Sequence, residues 1–146
     1  MKKIVFFILV VLVFTQCDKR KQYSTWKIDG KEYSSNDIEL STNGRSISNL
    51  SLVKGDARFA LEFFLPNLPK QGNFLIVREN TQQEQNKCVL SFGFNSKWYR
   101  IPITNNSYVE ARSNNNKSQI VLPPTWYYNN NDPQDSVLIE GTFNEP

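Results

Sequence analysis

The chain contains no histidine. That absence removes Ser-His-Asp and Cys-His nucleophilic catalysis and every metal site built on imidazole. Glycine is sparse, and each one stands alone, as at Gly55 and Gly93. Neither a phosphate-cradling loop nor a dinucleotide fingerprint is present, so no cofactor is expected. Helical periodicity is nearly missing, which argues against a helical domain. An excess of one charge is missing too: 17 basic residues face 14 acidic ones. Lys and Arg are scattered from Lys27 to Lys117 with acids between them, so no nucleic-acid stripe forms.

What is present begins at the N-terminus. Met1-Lys2-Lys3 precedes an unbroken apolar run from Ile4 to Phe14. Two positive charges before such a run are the opening of a secretory signal. The run is too short for a spanning helix, which needs ~20 residues to cross the hydrocarbon. It ends at Thr15-Gln16-Cys17. An apolar run closing on a cysteine resembles a lipoprotein signal. That resemblance implies a signal peptide over 1–16 with cleavage before Cys17, which is then diacylated. A lipidated cysteine and tether over 17–23 and a β-rich globular domain over 24–146 follow. Gln16 stands where such signals carry Gly, Ala or Ser, so a short interfacial anchor or a plain signal peptide cut elsewhere stays open. Asp18, Lys19, Arg20, Lys21 and Gln22 read as a solvated linker, with contact to anionic head groups as the alternative. Loss of Lys2 and Lys3 takes the formal charge from 17 − 14 = +3 to 15 − 14 = +1. With Cys17 acylated, Cys88 is the sole thiol, so neither an intrachain disulfide nor a Cys-rich zinc site is expected.

Beyond the tether, alternation and turn dipeptides predict strands. Ser24 to Ile28 and Lys31 to Ser34 flank Asp29-Gly30, a pair suited to the positive φ of a tight primed turn. Asp37 to Thr42 places Ile38 and Leu40 on one face, and Asn43-Gly44 turns the chain into Ser46 to Val53. Leu50 and Leu52 are out of phase with Ile47, which predicts a bulge near Ser48 and Asn49. Ala57 to Leu65 is the clearest core strand, with Ala57, Phe59, Leu61 and Phe63 inward. Phe74 to Arg78 reads as buried on both faces. Cys88, Leu90, Phe92 and Phe94 alternate before a Ser96-Lys97 turn, and Tyr99, Ile101 and Ile103 form the next inward set. Tyr108 to Ser113, Ser118 to Leu122 and Ser136 to Phe143 complete the pattern. The asparagine runs at 114–116 and 129–131 read as turns, because Asn tolerates left-handed backbone. Roughly nine or ten short strands with turns every 8–12 residues predict an all-β fold, a single antiparallel β-sandwich or partly closed barrel.

Three stretches carry a wider likeness: Trp26-Lys27-Ile28-Asp29-Gly30-Lys31-Glu32-Tyr33, Pro69-Lys70-Gln71-Gly72-Asn73-Phe74 and Ile139-Glu140-Gly141-Thr142-Phe143-Asn144. With them the chain resembles the small, uncharacterised envelope lipoproteins of Bacteroidetes that carry one β-rich domain. The resemblance implies an outer-membrane location through the acylated Cys17, on either the periplasmic face or the cell surface. It carries over no catalytic residue. The tether lacks the acid-rich export signal of some such lipoproteins, which counts against surface display.

The search for chemistry gives little. Carboxylates such as Glu62, Glu110 or Glu140 are candidates for acid–base work, but their outward strand positions suit ordinary solubilising residues. Cys88 alternates with core residues and reads as buried. Aromatics are the positive feature. Pro123-Pro124-Thr125-Trp126-Tyr127-Tyr128, bounded by Asn129 to Pro133, reads as a loop because two prolines make a poor central strand. Trp126, Tyr127 and Tyr128, with Trp98 after its turn, are the candidate contacts for a glycan or a protein partner. The alternative is that Trp126 caps an open end of the fold and Trp98 covers a neighbouring strand. The expected function is a non-enzymatic binding or interaction module on the envelope. An accessory subunit of an envelope assembly and a carboxylate-based glycan-active enzyme are the alternatives.

Overall fold

The computed structural model describes residues 22–53, 56–79 and 84–146, with side chains 50–53 left out. The signal peptide over 1–16, Cys17, most of the tether and the phase of Leu50 and Leu52 therefore lie outside the described residues. Among the described residues the fold is all-β, with no helix. Eleven strands form: β1 (Ser24–Ile28), β2 (Lys31–Ser35), β3 (Glu39–Leu40), β4 (Ser46–Val53), β5 (Ala57–Phe63), β6 (Gly72–Ile76), β7 (Lys87–Phe94), β8 (Lys97–Arg100), β9 (Tyr108–Asn114), β10 (Lys117–Asn129) and β11 (Asp132–Asn144).

Short turns set the local pairing. Asp29 and Gly30 both take positive φ, 50° and 80°, and close the β1–β2 hairpin. Asn115 and Asn116 do the same for β9–β10, at 50° and 64°. The turn between β7 and β8 is Asn95-Ser96, one residue earlier than expected, and Lys97 already pairs with Phe94. Alternation then decides which face is buried. Ala57, Phe59, Leu61 and Phe63 of β5 are all inward, as are Cys88, Leu90 and Phe92 of β7. The expected inward set on β8 stops early: Tyr99 and Ile101 are buried, but Ile103 is 83% exposed. The strand ends at Arg100, so the period of two no longer governs Ile103. Leu40 is likewise exposed while Ile38 is buried, because β3 is only two residues long.

The bulge expected in β4 falls later, between Asn49 and Val53. Asn49 is buried, and its side chain stands in for the missing backbone pairing. Its Oδ1 accepts from the Phe59 amide at 2.7 Å. An amide side chain here satisfies a buried donor that would otherwise be costly to bury.

The strands follow one another in the order β2-β1-β11-β10-β9-β6-β7-β5-β4-β3, and β8 bridges β10 and β7. Consequently β10, β9, β6, β7 and β8 form a closed ring of five. All neighbouring strands pair antiparallel except β6 and β7, which run parallel. The expectation of a purely antiparallel fold is corrected there, because the long 77–86 connection lets the chain return in the same direction.

Across the interior, β1, β11 and β10 face β5 and β7 through aromatic rings. Phe59 and Phe143 lie 4.6 Å apart between centroids, Trp26 and Phe59 5.4 Å, and Phe92 and Tyr127 5.1 Å. Each such ring contributes about 1.5–3 kcal/mol of burial. Gly141 makes room for this cluster. A Cβ there would lie 2.8 Å from the Trp26 Cβ and 2.9 Å from the Thr25 carbonyl oxygen. No other residue type lets β11 lie so close to β1.

Candidate binding face

The segment expected to be an aromatic loop is the middle of β10. Pro123 and Pro124 are absorbed by a bulge: Leu122 pairs with Gly141 and Thr125 with Ile139. On its other edge, β10 pairs with β9 only up to Val121 and with β8 only from Tyr128. The prolines thus sit where the edge has no strand to bond, so their missing N–H groups leave nothing unpaired. Both prolines are exposed, and Thr125 donates its hydroxyl to the Pro123 carbonyl at 2.8 Å.

Strand geometry then separates the candidates. Trp126 faces out and is 52% exposed. Tyr127 points inward, fully buried against Phe92. Its place among the candidate contacts is corrected accordingly: a side chain with no exposed surface touches no ligand. Burial first, then the neighbouring Cys88, push the pKa of its phenol well above the ordinary value, and its hydroxyl has no hydrogen-bond partner among the described residues. Tyr128 faces out and is half-buried. Opposite it on β8 is Arg100, two residues beyond Trp98. Because paired residues share a face and alternate ones return to it, Trp126, Tyr128, Arg100 and Trp98 line the same outer surface. Trp126 and Trp98 are roughly 14 Å apart along the strands, since Asn130 is the residue beside Trp98. Trp98 is 43% exposed, and its indole rests on Gly93, where a Cβ would meet Cζ2 at 3.5 Å.

Beside Trp98 opens a cleft of about 490 Å³, walled by Lys97, Arg100 and the turn from Asn129 to Asp132. Behind it lies a polar cluster that the sequence reading missed. Asp135 accepts from Lys97 Nζ at 2.7 Å, Asn129 Nδ2 at 2.9 Å and the Tyr99 hydroxyl at 3.1 Å. The Lys97 bond first, then Asn129 and Tyr99, hold the Asp135 carboxyl below its ordinary range, against the opposing effect of burial. Lys97 is raised in turn by the same bond. The strand had been expected to start at Ser136. It begins at Asp132 instead, and one residue before Ser136 the alternation that buries Val137 places Asp135 on the inner face.

The remaining chemical candidates are engaged elsewhere. Glu62 pairs with Arg45 at 2.8 Å, Glu110 with Arg112 at 2.6 Å and Glu140 with Lys27 at 2.9 Å. Arg112 holds the Glu110 carboxyl below its ordinary value. Cys88 is buried, and that burial pushes its thiol up in pKa. The described residues hold no group of three or more His, Cys, Asp or Glu arranged for a metal. The outer face itself presents exposed indole rings beside the polar groups of the β10–β11 turn, an arrangement suited to stacking and hydrogen bonding. Comparison with known proteins finds no matching family, no matching curated protein and no matching solved structure.

Proposed function

We propose that this chain is an envelope lipoprotein, held at the outer membrane through acylated Cys17, whose β domain is a non-enzymatic binding module. One observation carries the binding half of this reading: Trp126, Tyr128 and Trp98 stand on one outer face, and about half of the Trp126 and Trp98 surface is open to solvent. Large exposed aromatics grouped on one rigid surface are what contact sites for glycans and proteins are made of. The ring formed by β10, β9, β6, β7 and β8 holds that surface, and we read the fold as a partly closed barrel rather than a sandwich on that ground. The accessory-subunit reading, in which a partner adds a strand to an edge, draws less support. Edge strand β3 has two residues, and edge strand β2 opens with Lys31-Glu32, devices that discourage strand addition.

The test is capture from envelope extract by cross-linking and by immobilised glycans, for wild type and for the double variant Trp98→Ala/Trp126→Ala. Loss of capture with an unchanged melting temperature supports the binding face. Capture that survives the double substitution assigns the contact to another surface and overturns this reading.

A further inference from the structure

Resting on the binding-module reading, we infer that the cleft between β8 and the β10–β11 turn is a subsite for a neutral saccharide, with Trp98 as its stacking platform. A sugar ring has an apolar C–H face and a rim of hydroxyls, each of which both donates and accepts. The cleft matches both features. Trp98 supplies a plane whose underside is already fixed on Gly93, so little freedom is lost when a ring lands on it. Around that plane stand groups of both hydrogen-bonding senses. The Asn130 and Asn131 amides make no side-chain bond among the described residues. Asp132 uses Oδ1 to cap the Gln134 amide at 3.0 Å, which leaves Oδ2 for a hydroxyl donor. At about 490 Å³ the cleft has the capacity of an ordinary small-ligand site.

Charge chooses between sugar classes. The two cations at the cleft are already neutralised, Lys97 by Asp135 at 2.7 Å and Arg100 by Glu79 at 3.1 Å. An anionic sugar finds no unpaired positive charge and meets the free oxygen of Asp132. A neutral one meets no such penalty. Trp126, roughly 14 Å away on the same face, is placed to take a second ring of a longer chain.

The experiment is native gel electrophoresis of the full chain through soluble β-glucan, xylan, galactomannan and polygalacturonate. Retardation of the wild type by at least one neutral polysaccharide is expected. Trp98→Ala should weaken it about tenfold, the worth of one stacking contact. Trp98→Tyr should retain most of it, and Asn130→Ala/Asp132→Asn should weaken it with the melting temperature unchanged. Retardation by polygalacturonate alone overturns the neutral class. Retardation that survives Trp98→Ala and disappears in Trp126→Ala overturns the subsite. No retardation, beside envelope-protein cross-links that depend on Trp98 and Trp126, overturns the saccharide and leaves the binding module standing. Neither retardation nor such cross-links overturns both.

Discussion

Trp126 and Tyr127 are neighbours in sequence and opposites in environment, so truncating each separates an outer-face ring from a core ring. Tyr127→Ala should cost about 3–5 kcal/mol in urea unfolding, as for other large buried rings. Trp126→Ala should stay within about 0.5 kcal/mol, because its side chain stands on the outer face and is half exposed. Tyr127→Phe should leave stability unchanged or raise it by up to about 1 kcal/mol, since the hydroxyl it removes has no partner among the described residues. Asp135 carries a second prediction. Its folded pKa lies below the ordinary 3.8, so the stability it adds is present above that value. That stability is lost as pH falls through the lower folded value. Asp135→Asn should therefore melt lower than wild type at neutral pH, with the gap closing in acid. Glu110 has the same sign through Arg112, so an acid-sensitive arm persists in the variant. The burial of Phe59, Leu61 and Leu90 was legible from alternation alone. The partners of Asp135 were not, because Lys97, Tyr99 and Asn129 come from strands brought together only by the fold.

Elements obey their alternation until something else satisfies the backbone. β10 is the clearest case: two prolines read as a strand breaker, yet they occupy a bulge on an edge that needs no donors there. The sequence shows the prolines but not which neighbours the strand lacks, so the loop expectation failed for want of topology. β4 shows the converse. An irregularity was expected near Ser48 and Asn49, and the register shifts between Asn49 and Val53, where the Asn49 side chain reaches β5. Asn49→Ala should cost about 1–3 kcal/mol, measured by chemical denaturation, because it leaves the Phe59 amide buried without an acceptor. Asn49→Asp should do no better, since it buries a charge. The hairpin turns were the most readable elements, Asp29-Gly30 above all. Their chemistry is local, and positive φ selects Gly, Asn and Asp whatever lies across the sheet.

At the scale of the whole molecule, the all-β class follows from composition and period, whereas the five-strand ring depends on which edges meet. Nothing in the order of residues announces that β6 and β7 run parallel or that β8 bridges two distant strands. The anchoring proposal belongs to this scale as well. In fractionated cells, Cys17→Ala should move the protein from the membrane pellet to the soluble fraction or leave it as an unprocessed precursor. Normal membrane retention of that variant would sink the anchor. Protease added to intact cells then distinguishes a surface domain, which is digested, from a periplasmic one, which survives until lysis.

The pairing of β1 with β11 has a mechanical consequence. Any pull on the segment before Tyr23 runs along β1, and the bonds from β1 to its neighbours lie across that direction. The pairs from Thr25 with Thr142 to Ile28 with Ile139 are then loaded together in shear, not peeled apart one after another. Asn144 takes up the first strain, with its side chain on the Tyr23 carbonyl at 2.6 Å and its amide on Ser24 at 2.9 Å. Were a ligand held on β10, as proposed, the load would pass to β1 through β11. Under the proposed anchor and binding face, tension between the two ends would travel across adjacent strands in series, a geometry that resists force as a stiff link instead of unzipping.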